Sequence, residues 1–561
     1  MFTPLMGFNA ARSQIVDEVT KRVAESALDP LLLLNDAAYL EMKRLERSGG
    51  DAYSEWRSLA GALGKMSDAG RRDKLAELAE RYAWDVAGNF DPRVYKAVTK
   101  AGGPVLGAIL KPRHVLKNLA RAGDFTALDA QMKVEGPLDT LRELMTLGTL
   151  VFTPTHLSNL DSVVFGFALE RAGLPPATYG AGKNLFTNPV LSFFMHNLGA
   201  YRVDRRLKHA LYKDVLKTYS SVLIERGYHS LFFPGGTRSR SGGVERKLKL
   251  GLAGTGLEAF IRTTERGRPQ RVFFVPATIN YLLTLEAETL IDDFLSEEGK
   301  ARYIIDDDES TRIGRILAFV QKLVRAESSV VIRFSDPLDC FGNKVDARGQ
   351  SHDRRDRVVD AKSYILNGED QPVRENGRDA QYTRELGDAI VDAFKRDTVV
   401  MSTHLVAAAA FDRLKRSASP GRAGGKPDIF ALLRKEDDVR VPREELAAEV
   451  DALLAKVRDQ AKRGLIRIAD QLENASGDDA ITQAMRAFKG YHSTDVIRSS
   501  GRDLLLSDTR LLFYYQNRLA AHGLATDLIA PHVASGAMPG ATPGATPGAT
   551  PGASRGMRGA A

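Results

Sequence analysis

Cysteine is almost absent from this chain of 561 residues: Cys340 stands alone. No intramolecular disulfide and no cysteine-based zinc site can form, and a reducing compartment, the cytosol by default, is expected. Long apolar runs are missing too. No window reaches the roughly 18 uninterrupted apolar residues of a spanning helix, and the best stretches, 102–110 and 189–199, are broken by Gly, Pro, His and Asn. The first ten residues lack the basic cluster of a secretory leader, so none is expected. Any membrane contact should be peripheral. Nor does one sign of charge dominate, since 79 Lys and Arg stand against 71 Asp and Glu, a net +8. That excess permits anionic partners but is too small over this length to imply nucleic acid.

What the chain does have is 43% hydrophobic and 27% charged residues, enough to bury a sizeable core in two to four structural units. From about 17 to 130 the apolar residues recur at helical spacing, as in Val16, Val19 and Val23 or Leu59, Leu63 and Met66. Between 134 and 402 short apolar runs take over, at 149–153, 230–233, 272–278 and 329–334, with helical patterns between several of them. This is the texture of a largely parallel buried sheet covered by helices. A polar stretch at 336–379 reads as an exposed insertion, followed by a helix near 382–394. Helical periodicity returns at 403–414 and 443–529, with a Gly/Ser/Pro linker at 417–426. The Pro-Gly-Ala-Thr repeats after 538 have almost nothing to bury and are expected to be disordered. The expected organisation is a helical region at 1–133, an α/β domain at 134–402, a second helical region at 403–535 and a tail at 536–561.

Chemistry concentrates in four blocks. After the run 149–153 comes Pro154-Thr155-His156-Leu157-Ser158-Asn159-Leu160-Asp161 and then an apolar helical run. The histidine thus lies at the C-terminal end of a strand, where α/β sheets place ligands. Five residues on a helix turn through about 140° net, so His156 and Asp161 meet only if the histidine is in the loop and the aspartate in the helix's first turn. Ser158 or Asn159 would then cap the helix. Such a pair lets a carboxylate hold one imidazole nitrogen while the other takes a proton from a hydroxyl. The second block, 199–206, ends in Arg202, Arg205 and Arg206 around Asp204. In the third, Phe233-Pro234-Gly235-Gly236-Thr237-Arg238-Ser239-Arg240, glycines permit close backbone approach and arginines suit a phosphate. From Arg238 to Lys249 the segment holds five cations and one anion, Glu245. No Gly-Lys-Ser/Thr closes this loop as in a P-loop, and no Gly-x-Ser-x-Gly frames Ser239 or Ser241. The fourth block is the apolar strand 272–281. Taken singly, these blocks also fit a capping loop, solvated basic turns and a core strand.

In this order the four blocks resemble the glycerolipid acyltransferase superfamily, which joins glycerol-3-phosphate and 1-acylglycerol-3-phosphate acyltransferases. The resemblance covers about 134–394, with Lys183, Leu185, Phe186 and Pro189 as a further similar segment. It departs at Gly235, where family members usually carry a glutamate. It implies an α/β fold with a mostly parallel sheet flanked by helices, extended here by the two helical regions. It further implies transfer of a fatty acyl group from acyl-CoA or acyl carrier protein to a glycerol-phosphate hydroxyl, the acceptor being glycerol 3-phosphate or lysophosphatidate. On this reading His156 is the general base and Asp161 orients it. Arg205, Arg238 and Arg240 face the acceptor phosphate, Gly235, Gly236, Thr237 and Ser239 complete the substrate loop, and the N–H groups of Gly235 and Gly236 stabilise the oxyanion. No metal or prosthetic group is called for, and no nucleic-acid partner. A rival reading keeps the fold as a lipid-binding protein without turnover. An apolar product implies contact with an anionic membrane surface, on the cytoplasmic side of the inner membrane, through Phe193, Phe194, Met195 and Leu198 with Arg202, Arg205, Arg206 and Lys208.

Overall fold

The computed structural model describes residues 4–47, 49–101, 132–183, 186, 189–267, 271–298, 329–418, 429–434 and 437–527. The helical pattern expected at 102–130, Leu185, most of the 417–426 linker and the repeat tail at 536–561 lie outside the described residues.

The N-terminal layer is helical: α1 Phe8–Ser26, α2 Pro30–Leu45, α3 Gly50–Ala62, α4 Asp68–Val86 and α5 Pro92–Ala101. Local chemistry sets the starts. Asp29 accepts the N–H of Leu32 ahead of Pro30 at the first turn of α2, and Ser67 accepts that of Gly70 ahead of α4. The recurrent residues Ile15, Val16, Val19 and Val23 form one stripe of α1 and pack on Leu75, Leu78, Ala79 and Ala83 of α4.

The chain then runs through β1 Met132–Glu135, α6 Leu138–Leu147, β2 Gly148–Pro154, α7 Asp161–Arg171, β3 Thr178–Gly182, α8 Pro189–Asn197, β4 Ala200–Val203, α9 Ala210–Glu225, β5 Ser230–Leu231, α10 Ala253–Glu265, β6 Arg271–Tyr281, α11 Ala287–Glu298 and β7 Val330–Phe334. One sheet results, in the order β1-β7-β6-β2-β5-β3-β4. From β6 to β4 every neighbouring pair is parallel. At the other edge β7 runs antiparallel to β6 and parallel to β1, so the sheet is mostly, not wholly, parallel. The fold expected from sequence, an α/β sheet flanked by helices with further helical regions at both ends, is the one observed.

The stretch 336–379, expected to be an exposed insertion, carries a small sheet of β8 Lys344–Val345, β9 Ser351–His352 and β10 Val358–Val359. There follow α12 Asn376–Arg396, β11 Val399–Val400, α13 Ser402–Ser417, α14 Ile429–Leu433, β12 Val439–Pro442, α15 Arg443–Lys462, β13 Arg467–Ile468, α16 Asp470–Glu473, α17 Gly477–Phe488, β14 Ile497–Ser500, β15 Asp503–Leu506 and α18 Thr509–Ala520. The purely helical reading of 443–529 is therefore corrected. Ser500 pairs with Asp503 across Gly501-Arg502, and Gly501 has φ 64°, the conformation that a two-residue hairpin loop demands of its first residue.

Alternation along the central strands divides the core. Leu150 and Phe152 of β2 and Phe273 and Val275 of β6 face α6 and α7, where Leu141, Leu144, Phe165 and Ala168 are buried. Val151, Val272 and Phe274 face Leu257 and Ile261 of α10 and Ile390 and Phe394 of α12. Helix α9 carries the bond between the sheet and the N-terminal layer, because Tyr212, Val215, Tyr219 and Val222 join the same buried cluster as α1 and α4. The unit Met1–Thr526 is compact. A chain shortened to begin at residue 132 should strip this face of α9 and accumulate as aggregate. Soluble monomer of the shortened chain, measured by size-exclusion chromatography, would show that the layer is dispensable for folding.

Candidate active site

The site grows from the C-terminal end of β2, flanked in the sheet by β6 and β5. Thr155 keeps the departing chain tied to β6: its N–H donates to the Ala277 carbonyl at 3.0 Å, and its hydroxyl accepts the N–H of Ile279 at 3.0 Å. His156 follows in the loop and Asp161 opens α7, the placement that the spacing required. The expected cap is not made, because the N-cap residue is Leu160 and no side chain caps the helix. Ser158 instead accepts the N–H of Leu160 at 3.2 Å, inside the loop. Asp161 folds the turn back on itself. Its Oδ2 accepts the N–H groups of Leu157 and Ser158 at 2.6 and 2.9 Å and lies 2.8 Å from His156 Nδ1. Its Oδ1 accepts the hydroxyl of Tyr281 at 2.7 Å, and burial, then the Asp161 charge, push that phenol's pKa well up, so it remains a donor. An ionised acceptor at Nδ1 puts the proton there and leaves Nε2 as the basic nitrogen. The ring stacks on Phe233 with centroids 4.1 Å apart, and His156 lines the cleft beyond.

The third block wraps this histidine. Its strand is shorter than the run 230–233, only Ser230–Leu231, though Phe232 N–H still donates to the Phe152 carbonyl at 3.1 Å. Gly236 turns the chain at φ 74°, and its N–H is engaged by the Phe233 carbonyl at 3.0 Å, which removes it from the expected oxyanion role. Ser239 and Gly235 do not line the cleft, whereas Gly236, Thr237, Arg238 and Arg240 do. Ser239 is occupied in the loop: its N–H donates to the His156 carbonyl at 2.8 Å and its hydroxyl to the Gly243 carbonyl at 2.8 Å. Gly235 sits close against a side chain of the same loop. A Cβ there would lie 3.2 and 3.3 Å from Cγ and Oε1 of Glu245, which takes up that space. Glu245 Oε1 accepts the His156 N–H at 2.8 Å, and burial raises its carboxyl above the usual range. The single anion of the basic segment is thus the residue that sequence reading passed over, and its isolation among cations was the available signal.

The cleft has a volume of about 550 Å³. Arg205 from the end of β4, Lys213 and Lys217 one turn apart on α9, and Arg238, Arg240 and Lys249 from the third block all line it. Arg205 and Arg238 therefore converge, as the shared-site expectation required. Partial desolvation, then the like charge of Arg238, lowers the Arg205 pKa. Arg206 is instead paired with Asp204 at 2.7 Å. The lysines were missed because their spacing on α9 also fits a solvated helical face. Beneath Arg238 lies Glu286, fully buried, with Oε1 3.7 Å from the guanidinium and accepting the Asn159 N–H at 3.1 Å. Burial pushes its pKa up to about 7, against the lowering effect of Arg238.

Behind the cleft is an apolar cavity of about 120 Å³ that shares Ser162, Tyr179 and Met195 with it and continues past Val163, Phe167 and Leu198. Phe194 also lines this cavity, while Phe193 is 53% exposed, so the two neighbouring rings have different surroundings.

Residues 134–280 match the Acyltransferase family. Among curated proteins the chain is similar to the glycerol-3-phosphate acyltransferase of Pseudomonas aeruginosa (strain UCBPP-PA14), 27% identical over 36% of this chain and 22% of that protein. The protein of the same name from Pseudomonas fluorescens (strain SBW25) is 25% identical over 51% of this chain and 31% of its own length. That from Xanthomonas axonopodis pv. citri (strain 306) is 28% identical over 36% and 21%. The chain thus spans only between a fifth and a third of these relatives. The His156–Asp161 loop, the cationic third block and β6 all fall within the matched segment or at its edge, and residues 134–280 are an acyltransferase domain of the glycerolipid acyltransferase superfamily.

Proposed function

We propose that this protein is a glycerol-3-phosphate O-acyltransferase that moves a fatty acyl group from a thioester, acyl-CoA or acyl carrier protein, to a glycerol-phosphate hydroxyl. One observation carries the reading: an imidazole backed by a buried carboxylate stands in a cationic cleft that adjoins an apolar cavity. The acceptor phosphate is held by Arg205 and Arg238, with Arg240 and the lysines around it. The first part of the acyl chain enters the apolar cavity. His156 Nε2 removes the proton of the acceptor hydroxyl as its oxygen attacks the thioester carbonyl, and the imidazolium returns that proton to the departing thiolate. Asp161 holds the ring and stabilises its charged form. The acyl C–S bond breaks as the C–O bond forms, so no acyl-enzyme and no metal or prosthetic group is required. Incubating the purified protein with palmitoyl-CoA and either glycerol 3-phosphate or lysophosphatidate tests the activity and the acceptor. Absence of ester product with both would end the proposal.

The catalytic pair generates a sharp expectation. His156→Ala should lower kcat by about two to four orders of magnitude, with little change in thermal stability, as expected for a lost general base. Asp161→Asn should approach it, and near-normal turnover in His156→Ala would refute the mechanism.

The anion site has its own signature. Arg205→Ala and Arg238→Ala should raise the acceptor KM by about tenfold or more and leave the donor KM within about threefold, the pattern of lost ground-state binding. Glu286 adds a pH dependence with a definite sign. Below about 7 its carboxyl is protonated and leaves Arg238 to the phosphate; above about 7 it ionises and competes for that guanidinium. The acceptor KM should therefore rise more steeply with pH in the wild type than in Glu286→Gln. Parallel pH profiles would remove Glu286 from the anion site.

We also place the protein at an anionic membrane surface, on the cytoplasmic face of the inner membrane. No helix among the described residues is long and apolar enough to cross a membrane. Exposed Phe193 on α8, the helix whose Met195 lines the cleft, supports surface contact. In flotation with vesicles containing phosphatidylglycerol, binding should grow with the anionic fraction, weaken with salt and fall in Phe193→Ser. Wild-type protein that stays wholly in the soluble fraction at low salt would overturn this placement.

A further inference from the structure

Asp161 is not the only group that holds His156. Its backbone is gripped from the opposite side by the third block, through the Ser239 N–H on its carbonyl and Glu245 Oε1 on its N–H, each at 2.8 Å. Glu245 does not line the cleft, and the group its Oε1 holds is the His156 N–H. Its other oxygen, Oε2, is buried with no hydrogen-bond partner among the described residues. An under-satisfied buried carboxylate is costly and needs a counter-charge. Arg518 of α18, 2% exposed, supplies a buried positive charge that acts on Glu245 through space and not as a hydrogen-bonded pair. Its Nη2 donates to the Ile279 carbonyl and Asn280 Oδ1 at 3.2 and 3.1 Å, while Nε and Nη1 are buried without partners among the described residues. Attraction between Glu245 and Arg518 acts on both groups. The same helix is fitted to the same loop. Asn517 donates to the Ser241 carbonyl at 2.9 Å, and a Cβ on Gly242 would come within 2.5 Å of the Tyr514 carbonyl oxygen.

We propose that Glu245 is a positioning residue for His156, with Arg518 as its buried counter-charge, so that the C-terminal helix is a working part of the site. The proposal rests on the reading of His156 as general base. Shortening the side chain withdraws the carboxylate from the His156 N–H and lets the imidazole drift from the line between Asp161 and the cleft.

The test uses the full chain and two readouts. With palmitoyl-CoA and glycerol 3-phosphate, Glu245→Asp should lower kcat by about 10- to 100-fold, the cost of a misplacement near 1 Å, with the acceptor KM within about threefold. Glu245→Gln, which keeps the acceptor oxygen, should rescue kcat to within about tenfold of the wild type. Independently of turnover, carbethoxylation of His156 by diethyl pyrocarbonate, followed by mass spectrometry of its peptide, should speed up about threefold or more in Glu245→Asp and in Arg518→Met, as a released loop exposes the ring. Wild-type kcat and wild-type modification rate in Glu245→Asp would overturn the proposal. If the wild type makes no ester while the modification rates shift as stated, the positioning role stands and the acyltransferase reading falls.

Discussion

Asp161 has no exposed surface, yet His156 Nδ1, two loop N–H groups and the Tyr281 hydroxyl converge on its two oxygens. Burying a carboxylate costs several kcal/mol, and each hydrogen bond to a charged group returns roughly 1.5–3 kcal/mol. The ion is tolerated because the loop closes around it, and the loop has one conformation because the ion is there. That mutual dependence fixes where the imidazole stands relative to β2 and β6. Tyr281 at the end of β6 brings the sheet itself into the arrangement, so the histidine is referenced to a central strand of the sheet.

Around this centre the remaining charges divide by solvent. Lys213, Lys217 and Lys249 stay exposed at the cleft, where their long side chains can follow an anion. Glu245, Glu286 and Arg518 lie beneath it, where the low dielectric makes each charge depend on a specific neighbour. Opposite charges below, and above them cations that outnumber the one lining acid, Asp293, give the cleft a positive field without a cluster of repelling cations in the core. The apolar cavity adjoins this field at Ser162, Tyr179 and Met195, so a molecule with one anionic and one apolar end has a natural orientation across His156.

The flanking regions contribute through packing. The buried stripe of α9 needs α1 and α4 against it. At the other end of the chain α18 presents Tyr514, Asn517 and Arg518 to the third block and to β6. Both regions therefore touch the elements that shape the site, although neither carries one of the four sequence blocks.

Periodicity and short-range chemistry made much of this legible in the sequence. Apolar runs such as 149–153 become buried strands because a parallel strand covered on both faces needs continuous hydrophobicity. The His156–Asp161 contact follows from helix geometry, since only a loop-to-first-turn placement brings residues five apart together. Convergence of Arg205 and Arg238 was expected from the family resemblance, since each basic block alone also fits a solvated turn. The hairpin at 497–506 was hidden because a short run bounded by polar residues can be read with either period, and only the pairing across Gly501 resolves it. Glu245, Glu286 and Arg518 owe their places to contacts between segments far apart in the chain. Burial and electrostatic pairing over such separations depend on how helices stack on the sheet, and no local pattern encodes them. The sequence by itself determined the long buried strands, the His156–Asp161 loop and the residue types in it; tertiary packing alone decided which buried charges face one another, because the free energy of a charge is set by its surroundings in space.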